Sequence, residues 1–182
     1  MMDEQGRPLL EHLPSEFLTW LWWVTELNGG RINLGGELGG IEVWVDDRIA
    51  FRSMSDDKNR AVITSENASS TREARAALAA GRVVKELRLQ LKRQDREFTF
   101  VLRGPHLDLV GLKLPGTVKN GGMAEVLYDR IYLYEEVHFV FTGLLRHFAE
   151  QRTSPDWKDQ VVPAMKAWVA EAMTVDSPHH SA

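Results

Sequence analysis

Three acidic clusters mark the positions where metal-dependent chemistry could arise in this sequence: Asp46-Asp47, Asp56-Asp57 and Glu135-Glu136-Val137-His138. A metal-assisted hydrolase needs carboxylates that converge on one point, usually with a lysine or a histidine. Each aspartate pair consists of adjacent residues in a predicted turn, so its side chains diverge. His138 has no second histidine at ligand spacing, because His147 is the next one in the chain. We therefore expect turn or surface roles for these clusters, with no catalytic residue and no metal site.

Motifs for nucleophilic and nucleotide chemistry are missing as well. The 182 residues include no cysteine, which excludes thiolate nucleophiles, thiolate zinc sites and disulfides. No serine stands in a nucleophile-elbow motif. The glycine-rich segment 35–40 lacks the Gly-Lys-Ser/Thr ending of a phosphate loop and lies between two predicted strands, where a turn explains it. We expect neither enzymatic activity nor a cofactor.

A basic hairpin is the best candidate for a binding site. Between Arg82 and Arg103 there are seven basic and three acidic residues, so this segment carries +4 in a chain of net charge −4, which leaves −8 elsewhere. Basic side chains at alternate strand positions project from one sheet face and can follow a phosphate backbone. The same pattern is also typical of a solvated sheet face, and both interpretations stay open. The predicted DNA-binding residues are Arg82, Arg88, Lys92, Arg93 and Arg96.

Two helices carry tryptophan at positions that predict burial. The first is predicted to begin at Ser15, after Pro14, and to end at Asn28-Gly29-Gly30. It is apolar nearly all round, which favours burial by its own sheet and by a partner chain. The last begins at Ser154, with Pro155 in the first helical position. We expect core or dimer-interface roles here, and the interface candidates are Trp20, Trp23, Trp157 and Trp168.

The remaining pattern predicts an α+β fold, an antiparallel sheet of short strands with helices packed on one side, plus C-terminal helices. Strands are predicted at 31–34, 41–45, 48–53, 61–64, 82–93 and 106–114. After a turn at Gln94-Asp95-Arg96, a returning strand is predicted with Phe98, Phe100 and Leu102 on its inner face. A capping box of Ser70 and Glu73 predicts a helix ending at Ala80. A further helix is predicted from Met123 to about Gln151, with a break near Glu135. The predicted organisation is a flexible N-terminus (1–12), one domain (13–152), an amphipathic helix (153–173) and a disordered tail (174–182).

Overall charge and hydropathy argue against a membrane protein. The N-terminus lacks the basic-then-apolar order of a signal peptide. The longest apolar stretch, around 17–24, is far shorter than the roughly 20 residues that a membrane span needs. We expect a cytoplasmic protein that is located in the nucleoid if it binds DNA.

Three stretches together resemble the C-terminal half of the RdgC family, over about residues 13–152. They are Leu18-Thr19-Trp20 through Gly30-Arg31-Ile32-Asn33-Leu34, Arg72-Glu73-Ala74 through Ala80-Gly81-Arg82-Val83-Val84 to Leu89, and Tyr128-Asp129-Arg130 through Phe139-Val140-Phe141-Thr142-Gly143 to Leu145. In the second, a capped helix ends in an Ala-Gly-basic-Val-Val step into an amphipathic strand, as in the family. The resemblance implies a dimer that closes into a ring around duplex DNA, binds it with little sequence preference and restrains RecA by competing for DNA.

Two departures from the family pattern bear on that implication. The family's N-terminal half, which supplies one of the two dimer contacts, has no counterpart in this sequence, so a separate partner chain is a possible source of it. The family's Lys-Gln pair before the capped helix corresponds here to Glu66 and Asn67. A carboxylate in place of an ammonium group weakens a contact with phosphate.

Three functional hypotheses follow from the sequence. The first is a non-enzymatic, sequence-tolerant DNA-binding protein of RdgC type that modulates RecA-dependent recombination as a homodimer. The alternative is an oligomerisation or protein-interaction module that is derived from the same fold and no longer binds DNA. The third, a metal-dependent nuclease, would use Asp46 and Asp47.

Overall fold

A computed structural model describes residues 9–53, 60–64, 72–116 and 122–174. It confirms the α+β fold, with a six-stranded antiparallel sheet and four α-helices. The elements in chain order are α1 (Leu9–Leu27), β1 (Arg31–Asn33), β2 (Gly40–Ser53), β3 (Arg60–Thr64), α2 (Arg72–Ala79), β4 (Arg82–Arg93), β5 (Arg96–Arg103), β6 (Asp108–Lys113), α3 (Met123–Thr153), a π-helical turn (Trp157–Val161) and α4 (Val162–Thr174). The predictions for Asp56-Asp57, Glu66, Asn67, Ser70, residues 1–8 and residues 175–182 lie outside the described residues. Residues 9–12, which were predicted to belong to a flexible N-terminus, are helical and form the start of α1.

The sheet has the strand order β1-β2-β4-β5-β6, and β3 pairs with the second half of β2. Its inner face is built from alternating apolar residues and is covered by the helices, with α1 at the centre. Burial of this face and of α1 stabilises the fold by the hydrophobic effect. The largest fully buried side chains are Trp20, Trp22, Phe17, Phe51 and Phe98.

Helix α1 begins earlier than predicted and ends where predicted. It starts at Leu9, so Pro14 lies inside the helix and Ser15 is not its N-cap. The Ser15 carbonyl oxygen instead accepts a hydrogen bond from the Thr19 hydroxyl group at 2.8 Å. At the C-terminus Gly29 has φ +55°, and the Gly30 N–H donates to the Thr25 carbonyl oxygen at 2.7 Å. This bond is the six-to-one closure of a Schellman motif, for which glycine is the preferred residue.

Gly30 offers a test of how closely this turn packs on the sheet. It has φ +82°, and a Cβ atom added there would lie 2.3 Å from Nε1 of Trp44. We expect Gly30→Ala to lower the free energy of unfolding by about 2 kcal/mol, since both backbone strain and a steric clash oppose the methyl group. Gly29→Ala is the control, because its positive φ is similar but no atom lies within 4 Å. If urea unfolding shows that both variants lose the same free energy of unfolding, a clash with Trp44 is not the cause of the loss in Gly30→Ala.

Strand β2 corrects the prediction of two strands separated by a turn at Asp46-Asp47. It is one strand of 14 residues, and the two aspartates lie in an irregularity of its pairing with β4, between Val45 and Ile49. A second irregularity pairs Ala50 with Glu86 and Phe51 with Val84, which leaves Lys85 as an extra residue in β4. Bulges of this kind keep strands paired while they shift the alternation of side chains. The shift explains why Lys85 interrupts the apolar positions of β4.

Helix α3 corrects the prediction of a break near Glu135. It is continuous over 31 residues, a length of roughly 46 Å. No proline or glycine occurs between Met123 and Thr142, so the sequence contains no helix breaker in that part. The C-terminal helical segment follows Ser154 and Pro155 as predicted, except that its first turn, Trp157–Val161, is π-helical.

Candidate interaction surfaces

The five predicted DNA-binding residues do not form one surface. The β4–β5 hairpin exists as predicted, with a turn at Gln94-Asp95. Arg88 and Lys92 belong to the outer face of the sheet, the face opposite the helices. Arg93 and Arg96 pair with each other at the hairpin tip and reach a residue of α3. Arg82 lies at the other end of β4, beside α1 and α4. The alternation of side chains along a strand and the length of β4 separate these cations.

Carboxylates from β2 neutralise the cations on the outer face of the sheet. Arg88 forms ion pairs with Asp46 at 3.1 Å and with Asp47 at 3.4 Å. Lys92 lies 3.9 Å from the carboxylate of Glu42. The local charge of +4 in the hairpin is therefore largely balanced by acidic residues of the neighbouring strand.

The same contacts bear on the nuclease hypothesis. The carboxylates of Asp46 and Asp47 are both directed to the guanidinium group of Arg88, which occupies the place that a cation would take. Over the described ranges, no three histidine, aspartate or glutamate residues come close enough to hold a metal ion.

Glu136 of α3 joins the hairpin tip to the helix. Its side chain is only 4% exposed, and its two oxygens accept hydrogen bonds from Arg93 at 3.1 Å and from Arg96 at 2.7 Å. Arg93 also donates to the carbonyl oxygen of Glu37 at 3.0 Å, which ties the glycine-rich loop to the same point. The pKa of Arg96 is raised above its ordinary value. The contact with Tyr132 has the largest effect, and the hydrogen bond to Glu136 has the next largest. Arg93 and Arg96 thus join the hairpin tip to α3.

The tryptophans proposed for a dimer interface lie within the chain. Trp20, Trp23 and Trp157 are buried, and Nε1 of Trp20 donates to Oε1 of Gln151 in α3 at 2.6 Å. Trp168 is partly buried and packs edge-on against Trp22, with the ring centroids 4.9 Å apart. The structure assigns these side chains to the core of a single chain, because α1 is enclosed by the sheet and the other helices. None of the three buried ones presents a surface to a second chain.

Most of the exposed large apolar residues of the described part of the chain lie instead on α3. We call the surface that they form the α3 face, and its members are Met123, Leu127, Tyr128, Ile131, Tyr132, Tyr134 and Phe139. Met123 is 91% exposed, Tyr128 72% and Leu127 57%. The opposite side of the helix is buried against the core, through residues such as Val137 and Leu144. Apolar patches of this extent on a protein surface mark interaction sites.

Sequence reasoning identified α3 as a helix but missed its exposed face. The sequence did contain a pattern that indicates such a face, because residues 123–141 are apolar on several sides of the helix, as in α1. A helix that is apolar all round needs to be covered on more than one side. The structure shows that α1 meets this requirement within the chain and that the first part of α3 does not.

Comparison with protein-family models and with curated proteins gives no match. The resemblance to the RdgC family therefore stays a prediction. Among the described helices, none combines the length and the apolar character needed to cross a membrane.

Proposed function

We propose that this protein is a non-enzymatic interaction module that forms a homodimer through the α3 face. The observation that carries this proposal is the N-terminal part of α3. From Met123 to Tyr132 the chain is helical, yet none of these ten residues is buried. Five of the ten are large apolar or aromatic residues that are exposed. Helices in proteins owe most of their stability to packing of an apolar face. A partner that covers this face therefore accounts both for the helical conformation of residues 123–132 and for their exposed apolar side chains.

The size of the α3 face fits a second copy of this chain. Its seven side chains are between 46% and 91% exposed, which at about 200 Å² for a large side chain amounts to roughly 800 Å². An interface of standard size takes roughly 800 Å² from each partner. A two-fold dimer lets the same apolar patch of each chain cover the other, and this is the commonest form of protein oligomer.

Charged residues lie at the edges of the apolar α3 face. By helical geometry Glu125 and Arg130 lie on its two flanks, and both are exposed. An apolar centre with a polar rim is the usual anatomy of a protein–protein interface. Glu135 is an exposed charge within the face, and it is next to Glu136, whose side chain reaches the hairpin tip.

Sedimentation velocity over a concentration series tests the proposal. We expect the full chain to sediment as two protomers, with a monomer fraction that grows on dilution. A monomer at every concentration would contradict the homodimer and would leave the α3 face without its proposed partner.

A second candidate function is the sequence-tolerant DNA binding that the RdgC resemblance implies, with RecA-dependent recombination affected through competition for DNA. The observation in its favour is that several cations on the outer face of the sheet remain accessible despite their carboxylate partners. The side chain of Arg31 is 80% exposed, that of Lys92 48% and that of Arg103 45%. Phosphates would have to compete with Glu42 and Glu86 for these groups, so the affinity would be low and sensitive to salt.

Gel-shift titration with a DNA duplex tests whether the outer face of the sheet binds DNA, independently of the homodimer proposal. If the outer face binds DNA, the shift seen at 50 mM salt should disappear by about 200 mM, and the double variant Arg31→Gln, Lys92→Gln should weaken it about equally for unrelated sequences. Arg146→Gln, which removes an exposed cation of α3, is the matched control. No shift at low salt would exclude DNA binding by this face and leave the homodimer proposal intact.

A further inference from the structure

A cavity of about 380 Å³ lies between α1, α2, the start of β4 and the C-terminal helical segment. Its volume is in the lower part of the range for small-molecule sites. Most of its wall is apolar, and the side chains that form this part are Leu78, Val83, Trp157, Val162, Met165 and Val169. Neither the proposed dimer interface on the α3 face nor the candidate DNA-binding surface on the outer face of the sheet includes this cavity.

Four polar residues complete the wall of the cavity, and two of them are satisfied within the protein. The Glu16 carboxylate accepts a hydrogen bond from Nε of Arg152 at 2.7 Å. The Thr19 hydroxyl group donates to the Ser15 carbonyl oxygen at 2.8 Å. The other two are the cations Arg82 and Lys166.

The cavity therefore has an excess of positive charge. Nη1 of Arg82 is buried and has no hydrogen-bond partner. Within the part of the chain that the structure describes, no carboxylate forms an ion pair with Arg82 or with Lys166. A buried guanidinium N–H without an acceptor is unfavourable, and an anion bound beside the guanidinium group offsets part of this cost through its charge. A carboxylate suits a guanidinium group well because it can accept two parallel hydrogen bonds.

We propose that this cavity binds an amphipathic monoanion of the medium-chain carboxylate class. The carboxylate accepts hydrogen bonds from Arg82 and Lys166, and the hydrocarbon chain packs against the apolar wall formed by α4 and Trp157. The burial of the chain provides most of the affinity, and the two cations select an anion over a neutral or cationic ligand of the same length.

Isothermal titration calorimetry on the full chain tests this site with octanoate as the probe, and with octanol and octyltrimethylammonium as comparators. We expect octanoate to bind about 100-fold more tightly than octanol, since each of the two charge-assisted hydrogen bonds contributes about tenfold. The cationic comparator should bind most weakly. Arg82→Gln and Lys166→Gln should each reduce octanoate affinity about tenfold and leave octanol affinity unchanged.

Two further variants keep the test independent of folding defects. Arg146→Gln removes an exposed cation that does not line this cavity, and it should bind octanoate like the unmodified chain. Val169→Trp should fill the cavity and abolish binding of octanoate and octanol alike. Lys166 is exposed, so its substitution leaves the core intact. Equal affinity for octanoate and octanol, no binding of either, or unchanged octanoate affinity in both glutamine variants would overturn the proposal.

Discussion

Replacement of Leu127 and Ile131 with aspartate is expected to convert the proposed homodimer into a monomer. Both side chains belong to the exposed part of α3, where they would be buried only by a partner chain. Each large aliphatic side chain contributes about 1.5–3 kcal/mol when it is fully buried, and a carboxylate in its place would have to be desolvated. We expect the dimer dissociation constant to rise at least roughly 100-fold in the double variant, measured by sedimentation equilibrium.

Val110→Asp is the matched control for this substitution. Val110 is an exposed apolar residue of β6, and it lies outside the α3 face. The dissociation constant should therefore stay within about twofold of that of the unmodified chain, since a surface substitution away from the interface has little effect. If the Leu127, Ile131 double variant remains a dimer of unchanged affinity, the self-association surface is elsewhere.

Glu136→Ala is expected to cause a large loss of stability. It would leave Arg93 and Arg96 facing each other without the carboxylate that now accepts from both. Removal of one partner from a buried ion pair costs about 3 kcal/mol or more, because a charge is left without compensation. We expect a decrease of about 3 kcal/mol in the free energy of unfolding, and a melting temperature lower by roughly 6–12 °C for a chain of this size.

Two comparisons identify the cause of that loss. Glu150→Ala removes an exposed glutamate from the same helix and should change stability by less than about 0.5 kcal/mol. The triple variant Glu136→Leu, Arg93→Met, Arg96→Leu should recover much of the stability, since replacing a whole buried ionic cluster by apolar residues is often neutral. If Glu136→Ala is as stable as Glu150→Ala, water solvates the two guanidinium groups and the cluster does not hold the hairpin tip.

Local patterns were sufficient to predict most elements of the fold. The end of α1 depends on glycine at a positive φ, and Gly29 occupies that position. The β4–β5 hairpin follows from alternating apolar residues on both sides of a short polar turn, as the paired strands confirm. Both signals involve residues close together in the chain, which is why the sequence reveals them.

The incorrect predictions concern features that depend on distant residues. Asp46-Asp47 resembles a turn in isolation, but pairing with β4 keeps β2 continuous through a bulge at that point. Pro14 suggested a helix boundary, whereas α1 continues back to Leu9. Tertiary contacts outweigh local preferences in such cases, since the packing of a whole element involves more free energy than one turn or cap.

The binding site shows the same division between local and distant effects. Composition identified a hairpin with an excess of cations, and the hairpin is present. Its electrostatic partners are remote in sequence, because Arg88 meets Asp46 from β2 and Arg93 meets Glu136, 43 residues further along the chain. Net charge over a segment therefore did not predict the charge of the surface that the segment forms.

Two of the three acidic clusters in the sequence, Asp46-Asp47 and Glu135 to His138, lie in the described part of the chain, and contacts with distant residues give them different roles. By itself the sequence determined the α+β class, the hairpin and the helices, because these depend on the period of apolar residues and on glycine in tight turns. Only the tertiary structure decided that Asp46 and Asp47 neutralise Arg88 and that Glu136 anchors the hairpin tip. It also decided that the tryptophans of α1 are buried, whereas seven large apolar residues of α3 are exposed. These outcomes depend on which side chains meet across the sheet and on which helix the core encloses, and a one-dimensional pattern does not contain that information.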